Sequence, residues 1–157
     1  MKETAIVIGV LFIGLAIMAG RNQFLIALNT RGAAYKNKLR EVERLHNMPA
    51  LLLSRVAYQE SRFRADIISG EVTSHAGAVG IMQIVPQWHP DVNPLNTDEA
   101  IEYAGNYLAS LKKRTGSWRL ALAAYNWGIG NLKRHGIEKA PEETRNYIEE
   151  ISKDVAV

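Results

Sequence analysis

The chain has 157 residues, of which 47% are hydrophobic and 22% are charged, and its formal net charge at pH 7 is +3. This composition suffices for one small domain with a core, while the weak and dispersed positive charge argues against nucleic acid as a partner. The absence of cysteine from the sequence excludes a disulfide-stapled scaffold and a thiolate zinc site.

The N-terminal segment at residues 5–20 is apolar and contains no charged residue. It is slightly shorter than the ~20 residues that span a bilayer, so it is compatible with a short membrane anchor or with the core of a signal peptide. Apolar residues resume after Arg21 at residues 24–28, and no clear cleavage site follows. A buried helix of a soluble domain is a third alternative. We therefore predict a single retained hydrophobic helix that anchors the chain in a membrane through residues 5–28, with residues 1–30 forming the anchor unit.

The segment that follows the apolar stretch is rich in cations, whereas only Lys2 and the amino terminus precede that stretch. The cations are Arg21, Arg31, Lys36, Lys38, Arg40 and Arg44. The positive-inside rule predicts that the part of the chain after them stays in the cytoplasm. Within residues 31–47, apolar residues recur at spacings of three, which indicates a juxtamembrane helix or stalk.

A helix is predicted over residues 49–63, because Pro49 suits a first helical turn and no helix breaker follows it. Apolar residues repeat along one face of this helix, and Glu60 continues that face. Burial would raise the pKa of the Glu60 carboxyl, as a general acid near neutral pH requires. The alternative is a structural ion pair with Arg62 or Arg64.

The rest of the chain also favours helices. Three helices are predicted from residues typical of helix ends. The first is bounded by Asn96 and Gly116, the second by Ser117 and Gly128, and the third begins at Pro141. A short turn is predicted at residues 130–136, and residues 64–80 form a polar loop with at most a small β-hairpin. Residues 48–157 are therefore predicted to form one mainly α-helical domain. Its histidines lack metal-ligand spacing, so no metal site is predicted.

Four short motifs follow one another in this domain: QESRF, which contains Glu60, then GAVGIMQIVP at 77–86, LAAYNWG at 122–128 and ETRNYI at 143–148. Together they resemble the lytic transglycosylases of the soluble, goose-type-lysozyme-like family, which cleave the glycan strands of bacterial peptidoglycan. The resemblance extends from residue 48 to about residue 151. It implies a lysozyme-like α-helical catalytic domain at 48–157 that needs no metal or organic cofactor.

The resemblance also implies roles for individual residues. Glu60 matches the single catalytic carboxyl, which would break the β-1,4 bond between N-acetylmuramic acid and N-acetylglucosamine without water and leave a 1,6-anhydro ring. Residues that match substrate-contacting or site-directed positions are Ser74, Gly80, Met82, Gln83, Ala124, Tyr125, Asn126 and Tyr147. The loop before Gly77 is longer than is usual in the family, and Val85 replaces a methionine found in some members.

Two other functions remain compatible with the motifs. In a goose-type lysozyme, Asp66 or Glu71 would position a water molecule and the product would be a reducing sugar. A catalytically silent peptidoglycan-binding or assembly factor is the second alternative.

Peptidoglycan lies outside the inner membrane, whereas the cations favour a cytoplasmic domain. A virion- or phage-associated enzyme that is inserted first and delivered later satisfies both constraints, and a membrane-anchored periplasmic enzyme is the other possibility.

Overall fold

Helices carry most of the buried apolar residues within residues 23–157, the part of the chain that the computed structural model describes. They are α1 at residues 23–29, α2 at Lys36–Leu45, α3 at Leu52–Ser61, α4 at Ala65–Ile68, α5 at Thr97–Thr115, α6 at Trp118–Trp127, α7 at Ile129–His135 and α8 at Glu142–Ser152. A 3-10 helix at Ile137–Lys139 joins α7 to α8. The mainly α-helical prediction is thus confirmed for this part of the chain, and it is consistent with a lysozyme-like helical domain.

No β-strand forms within residues 23–157, and an isolated antiparallel bridge joins Val79 to Ile84. The small hairpin that we allowed in the loop at 64–80 is therefore replaced by a tight turn at the end of that loop. Both backbone hydrogen bonds of the bridge are present, at 3.0 and 3.1 Å. This turn holds the GIMQ sequence.

The predicted ends of the long helices are confirmed. The Asn96 side chain accepts a hydrogen bond from the Glu99 N–H at the start of α5, and Gly116 ends that helix with a φ of +91°. Ser117 caps α6 in the same way. The Glu99 carboxylate accepts from the N–H of Asn93 at 2.8 Å, so it supports the loop before α5 instead of completing a reciprocal capping box.

The turn predicted at residues 130–136 is wrong, because residues 129–135 form helix α7. The physical reason is packing: Leu132 is buried in the core at 7% exposure, which orders this short segment against α6. Its two apolar residues, Ile129 and Leu132, are too few to give a helical periodicity in the sequence.

Helix α3 is shorter at both ends than the predicted 49–63, because Leu51 and Arg62 adopt positive φ angles at its boundaries. Its first turn is capped by Glu43 of α2, which is only 4% exposed. The Glu43 carboxylate accepts hydrogen bonds from the Leu51 N–H at 3.1 Å and from the Ser54 N–H at 2.8 Å. A negative charge in this position satisfies N–H groups that the helix leaves unpaired and complements the helix dipole.

One hydrophobic core unites the helices, and it extends N-terminally past the predicted boundary at residue 48. Phe24 and Leu28 of α1 are at most 1% exposed and belong to the same core as Leu39 and Val42 of α2. Helix α2 packs against α3 and α5, while α8 packs against α3 and α6. The division into an anchor at 1–30, a stalk at 31–47 and a catalytic domain at 48–157 stays a prediction.

Most of the predicted membrane anchor, including all of residues 5–20, lies outside the described residues. Within residues 23–157, none of the helices combines the length and the apolar character needed to cross a membrane.

Gly80 provides a test of the turn that carries the GIMQ sequence. Its φ is +78°, and a β-carbon would lie 2.0 Å from the Pro94 carbonyl oxygen. We expect Gly80→Ala to lower the free energy of unfolding by about 3 kcal/mol, since backbone strain and steric overlap add. Gly77 is a matched control, because its φ is +75° but no atom lies within 4 Å of the added carbon.

Gly77→Ala should therefore lower the free energy of unfolding by only about 1 kcal/mol, which is the cost of the positive φ angle. Urea unfolding of both variants measures the difference. Equal losses would mean that the contact with Pro94 does not constrain the turn.

Candidate active site

The Glu60 side chain forms the centre of the candidate site. Glu60 lies in the last turn of α3 and is half-buried, and the Tyr147 hydroxyl donates a hydrogen bond to its carboxylate oxygen Oε1 at 2.7 Å. Tyr147 belongs to α8 and is 6% exposed. Because α8 packs on α3, two residues that lie 87 positions apart in the chain are brought into direct contact.

Two adjoining hollows meet at Glu60, since Glu60 and Asn126 line both of them. The first has a volume of about 660 Å³ and is largely aromatic, with a lining that includes Gln83, Trp88, His89, Tyr103, Tyr107 and Tyr125. The second has a volume of about 450 Å³ and is polar, with a lining that includes Gln59, Glu143, Asn146, Tyr147 and Glu150. The Glu60 side chain therefore adjoins both hollows.

Burial raises the pKa of Glu60 to about 7. The hydrogen bond from Tyr147 acts in the opposite direction and lowers this pKa, because it favours the charged carboxylate, while the charge on Glu143 raises it. At neutral pH a carboxyl with this pKa populates both protonation states. It can therefore donate a proton and later accept one without an external base.

The GIMQ turn supplies one wall of the first hollow. Ile81 and Met82 are completely buried, which fixes the turn in the core, while Gln83 faces the hollow with a φ of +47°. The Gln83 side-chain amide donates a hydrogen bond to the Gly80 carbonyl at 3.0 Å. Gln83 is thus held in place by its own turn.

The Tyr125 hydroxyl does not hydrogen-bond to the Glu60 carboxyl, although both residues line the first hollow. The hydroxyl donates a hydrogen bond to the Met82 carbonyl at 3.1 Å, and Tyr147 occupies the position beside Glu60. Tyr125 therefore ties α6 to the GIMQ turn. Met82 takes part through its backbone, since its side chain is completely buried.

Asn126 is oriented by α8, because its side-chain oxygen accepts a hydrogen bond from the Thr144 hydroxyl at 2.7 Å. The hydrogen bond involves only the side-chain oxygen of Asn126, and this residue lies where the two hollows meet. Ala124 is completely buried beneath the first hollow and gives it a small, apolar base.

Ser74 and Gly80 line neither of the two hollows. Ser74 is exposed, and its hydroxyl accepts a hydrogen bond from the Ala78 N–H at 3.0 Å, so it stabilises the loop before the GIMQ turn. Gly80 shapes that turn. A substrate contact at either position stays a prediction.

Asp66 and Glu71, the candidates for a second carboxylate, line neither hollow either. Asp66 pairs with Arg64, and the hydrogen bond from this guanidinium holds the pKa of Asp66 below its usual range. Glu71 is exposed. The carboxylates that do share a hollow with Glu60 are Glu143 and Glu150.

Several lining residues were not identified from the sequence as members of the site. Trp88 is one of them, and its side chain is 71% exposed at the first hollow. His89 is another, and its Nδ1 atom lies 2.7 Å from the Tyr103 hydroxyl. Tyr103 and Tyr107 lie four positions apart on α5, and this spacing in the sequence indicates that they share one face of the helix.

A family model described as the Transglycosylase SLT domain matches residues 38–148. The matched region contains α3 with Glu60, the GIMQ turn, α6 and the part of α8 that carries Tyr147. It begins inside α2, upstream of the boundary predicted at residue 48.

The charge on Glu143 makes a testable contribution to the site. Since this charge raises the pKa of Glu60, we expect Glu143→Gln to lower that pKa and to reduce the protonated fraction of Glu60 at pH 7. The measurement is an NMR titration with ¹³C-labelled glutamate carboxyls, in which Glu60→Gln identifies the Glu60 signal. Glu142→Gln is the matched control, because Glu142 is exposed on the same helix but does not line the hollow.

The Glu142 variant should leave the pKa of Glu60 unchanged. An equal shift in both variants would assign the effect to the net charge of α8, not to the proximity of Glu143.

Proposed function

Because the chain belongs to the Transglycosylase SLT domain family, whose members are lytic transglycosylases acting on peptidoglycan, we propose that Glu60 is its single general acid and base. The reaction proposed is cleavage of the β-1,4 bond between N-acetylmuramic acid and N-acetylglucosamine, with formation of a 1,6-anhydromuramic acid end. The observation that carries this proposal is the half-buried Glu60 carboxyl, paired with Tyr147 where two hollows meet.

In the first step, protonated Glu60 donates its proton to the glycosidic oxygen, and the N-acetylglucosamine side leaves with a hydroxyl group. The acetamido oxygen of the muramic acid residue forms a bond to its own C1 as the glycosidic bond breaks. A pKa near 7 makes the protonated carboxyl available at neutral pH. The substrate provides the nucleophile, so a second protein carboxylate is not required for this step.

In the second step, the Glu60 carboxylate takes the proton from the 6-hydroxyl of the muramic acid residue. The 6-oxygen then forms a bond to C1 and displaces the acetamido oxygen, which restores the acetamido group and protonated Glu60. The Tyr147 hydroxyl donates to the carboxylate between the two steps and stabilises its charge. No water molecule is consumed.

The two hollows are suited to different stretches of one glycan strand. Apolar faces of sugar rings pack on aromatic side chains, and the first hollow offers Trp88, Tyr103 and Tyr107 for such contacts. The second hollow offers polar groups, including Asn146 and Gln59, for hydrogen bonds to hydroxyl and acetamido groups. A strand that occupies both hollows carries its scissile bond past Glu60.

We predict that Glu60→Gln reduces lysis of purified cell walls by more than about a hundredfold, a loss of ~3 kcal/mol of transition-state stabilisation, because an amide cannot donate the required proton. Turbidity loss gives the rate, circular dichroism verifies the fold, and sedimentation with cell walls verifies binding. Retention of more than about a hundredth of the activity in a folded variant would identify another acid.

A hydrolytic muramidase is the second candidate function. It is supported by the presence of Glu143 in the hollow beside Glu60. A carboxylate there could activate water, and the product would be a reducing sugar. The mass of the released muropeptides separates the two functions, since the anhydro product is lighter by one water molecule. Reducing ends in the products would replace the transglycosylase with this hydrolase.

We also propose that residues 5–20 anchor the chain in a membrane, on the basis of their uncharged and apolar sequence. The units proposed are an anchor at 1–30, a stalk at 31–47 and a catalytic domain at 48–157. The cations after the apolar stretch favour initial insertion with the domain inside. Later delivery as a component of a virion or phage particle would bring the domain to the peptidoglycan. A resident enzyme of the periplasm is the alternative location.

Protease treatment of spheroplasts that express the full chain tests this orientation. We expect the C-terminal domain to be protected until the membrane is permeabilised, because six cations follow the apolar stretch and favour the cytoplasmic side. Digestion in intact spheroplasts would instead establish a periplasmic domain.

A further inference from the structure

A buried arginine connects the two helices that carry Glu60 and Tyr147. Arg55 of α3 is 2% exposed. Its Nε donates a hydrogen bond to the Asp154 carboxylate at 2.7 Å, and its Nη2 donates to the Glu150 carbonyl oxygen at 2.9 Å. Its Nη1 donates to the Gln59 side-chain oxygen at 3.2 Å. One guanidinium thus bonds to α3, to α8 and to the segment that follows α8.

The Glu150 carboxylate and two aromatic rings complete the surroundings of this guanidinium, whose Nη2 lies 3.5 Å from the Glu150 Oε2. Its central carbon lies 5.3 Å from the centroid of the Phe24 ring and 5.1 Å from that of the Tyr58 ring. The Asp154 side chain is 2% exposed, so the ion pair is shielded from water. A buried charge is tolerated only where its partners are well placed, and breaking such a pair is costly. The orientation of α8 relative to α3 is therefore strongly constrained by Arg55.

The bond between Glu60 and Tyr147 crosses the same interface between α3 and α8. Arg55 lies about one and a half turns before Glu60 on α3, while the Glu150 carbonyl lies about one turn after Tyr147 on α8. A hydrogen bond of 2.7 Å is lost when its atoms separate by about 1 Å. A small shift of α8 would therefore separate Tyr147 from the carboxyl.

We propose that Arg55 is a positioning residue, which holds α8 against α3 so that the Tyr147 hydroxyl stays within hydrogen-bonding distance of Glu60. This inference rests on the role proposed above for Glu60. Arg55 itself lines neither hollow, so it acts through Tyr147 and not on the substrate. The planar guanidinium group of arginine is needed here. The single ammonium group of a lysine cannot donate hydrogen bonds in the same three directions while also contacting both aromatic rings.

Other groups near Glu60 set its electrostatic surroundings and must be held constant in a test. They are Tyr147, Glu143 and Glu150 of α8, Tyr125 of α6, Tyr103 and Tyr107 of α5, and His89 of the connecting segment. Arg55→Lys retains the positive charge and leaves all of these groups in the sequence. A change in the Glu60 titration then reports geometry and not the loss of a charge.

The experiment is the ¹³C NMR titration of Glu60 in Arg55→Lys, Tyr147→Phe and the double variant. Since the Tyr147 hydrogen bond lowers the pKa of Glu60, its loss raises that pKa. We expect Arg55→Lys to lower the acid dissociation constant of Glu60 at least about threefold, in the same direction as Tyr147→Phe. In the Tyr147→Phe background, Arg55→Lys should have no further effect, because its route to Glu60 is already removed.

Arg62→Lys is the matched control. Arg62 belongs to the end of the same helix and its guanidinium lies 4.6 Å from the centroid of the Tyr58 ring, but it is exposed and makes no ion pair with α8. Its substitution should leave the Glu60 titration unchanged. A folded Arg55→Lys variant with an unchanged titration, or shifts that add in the double variant, would overturn the proposal.

Asp154→Ala provides a second variant if Arg55→Lys does not fold. Removal of the Asp154 charge by itself favours the charged form of Glu60 and lowers its pKa, whereas displacement of Tyr147 raises it. The proposal requires that Asp154→Ala shift the pKa of Glu60 further upward in the native protein than in the Tyr147→Phe background, where only the charge effect remains. Equal shifts in the two backgrounds would overturn it. The titration needs no substrate, so absence of lytic activity would refute the proposed function while this test of Arg55 still gives its answer.

Discussion

The hydrogen bond from Tyr147 to Glu60 is the interaction on which the candidate site depends. It joins α8 to α3 at 2.7 Å and acts on a carboxyl whose burial favours the neutral form. The two effects oppose each other, and the pKa of Glu60 is about 7 because burial outweighs the hydrogen bond. A fully exposed carboxyl would be ionised at neutral pH, and a carboxyl buried without a donor would be harder to ionise.

This arrangement costs stability. The folded protein binds the Glu60 proton more tightly than the unfolded chain, so the free energy of unfolding falls as pH rises from the unfolded pKa of Glu60 towards about 7. Ionised Glu60 then costs on the order of 3 kcal/mol relative to an ordinary carboxyl. The rest of the structure offsets this cost through burial of the apolar faces of α3, α5 and α6 and through satisfied charges such as Glu43.

Local sequence signals identified much of the fold and the central residue of the site. The caps Asn96 and Ser117 and the ends at Gly116 and Gly128 are confirmed, since capping depends on groups within a few residues of each other. Helical spacing also placed Glu60 on an apolar face. The same reasoning missed α7, whose single buried Leu132 gives no periodicity, and it extended α3 too far because its ends are set by Glu43 and by positive φ angles.

By itself, the sequence determined the helical character of residues 23–157, the order of the four motifs and the position of Glu60 on an apolar helix face. The tertiary structure decided which tyrosine contacts that carboxyl: Tyr147 does, while Tyr125 bonds to the Met82 carbonyl. It also decided that Trp88 and Tyr103 line the hollow and that Asp66 and Glu71 do not. The physical reason is range. Periodicity and capping act over three or four residues. The hydrogen-bond partner and the pKa of Glu60 depend instead on the packing of α3 against α8, which carries Tyr147, 87 positions after Glu60 in the chain.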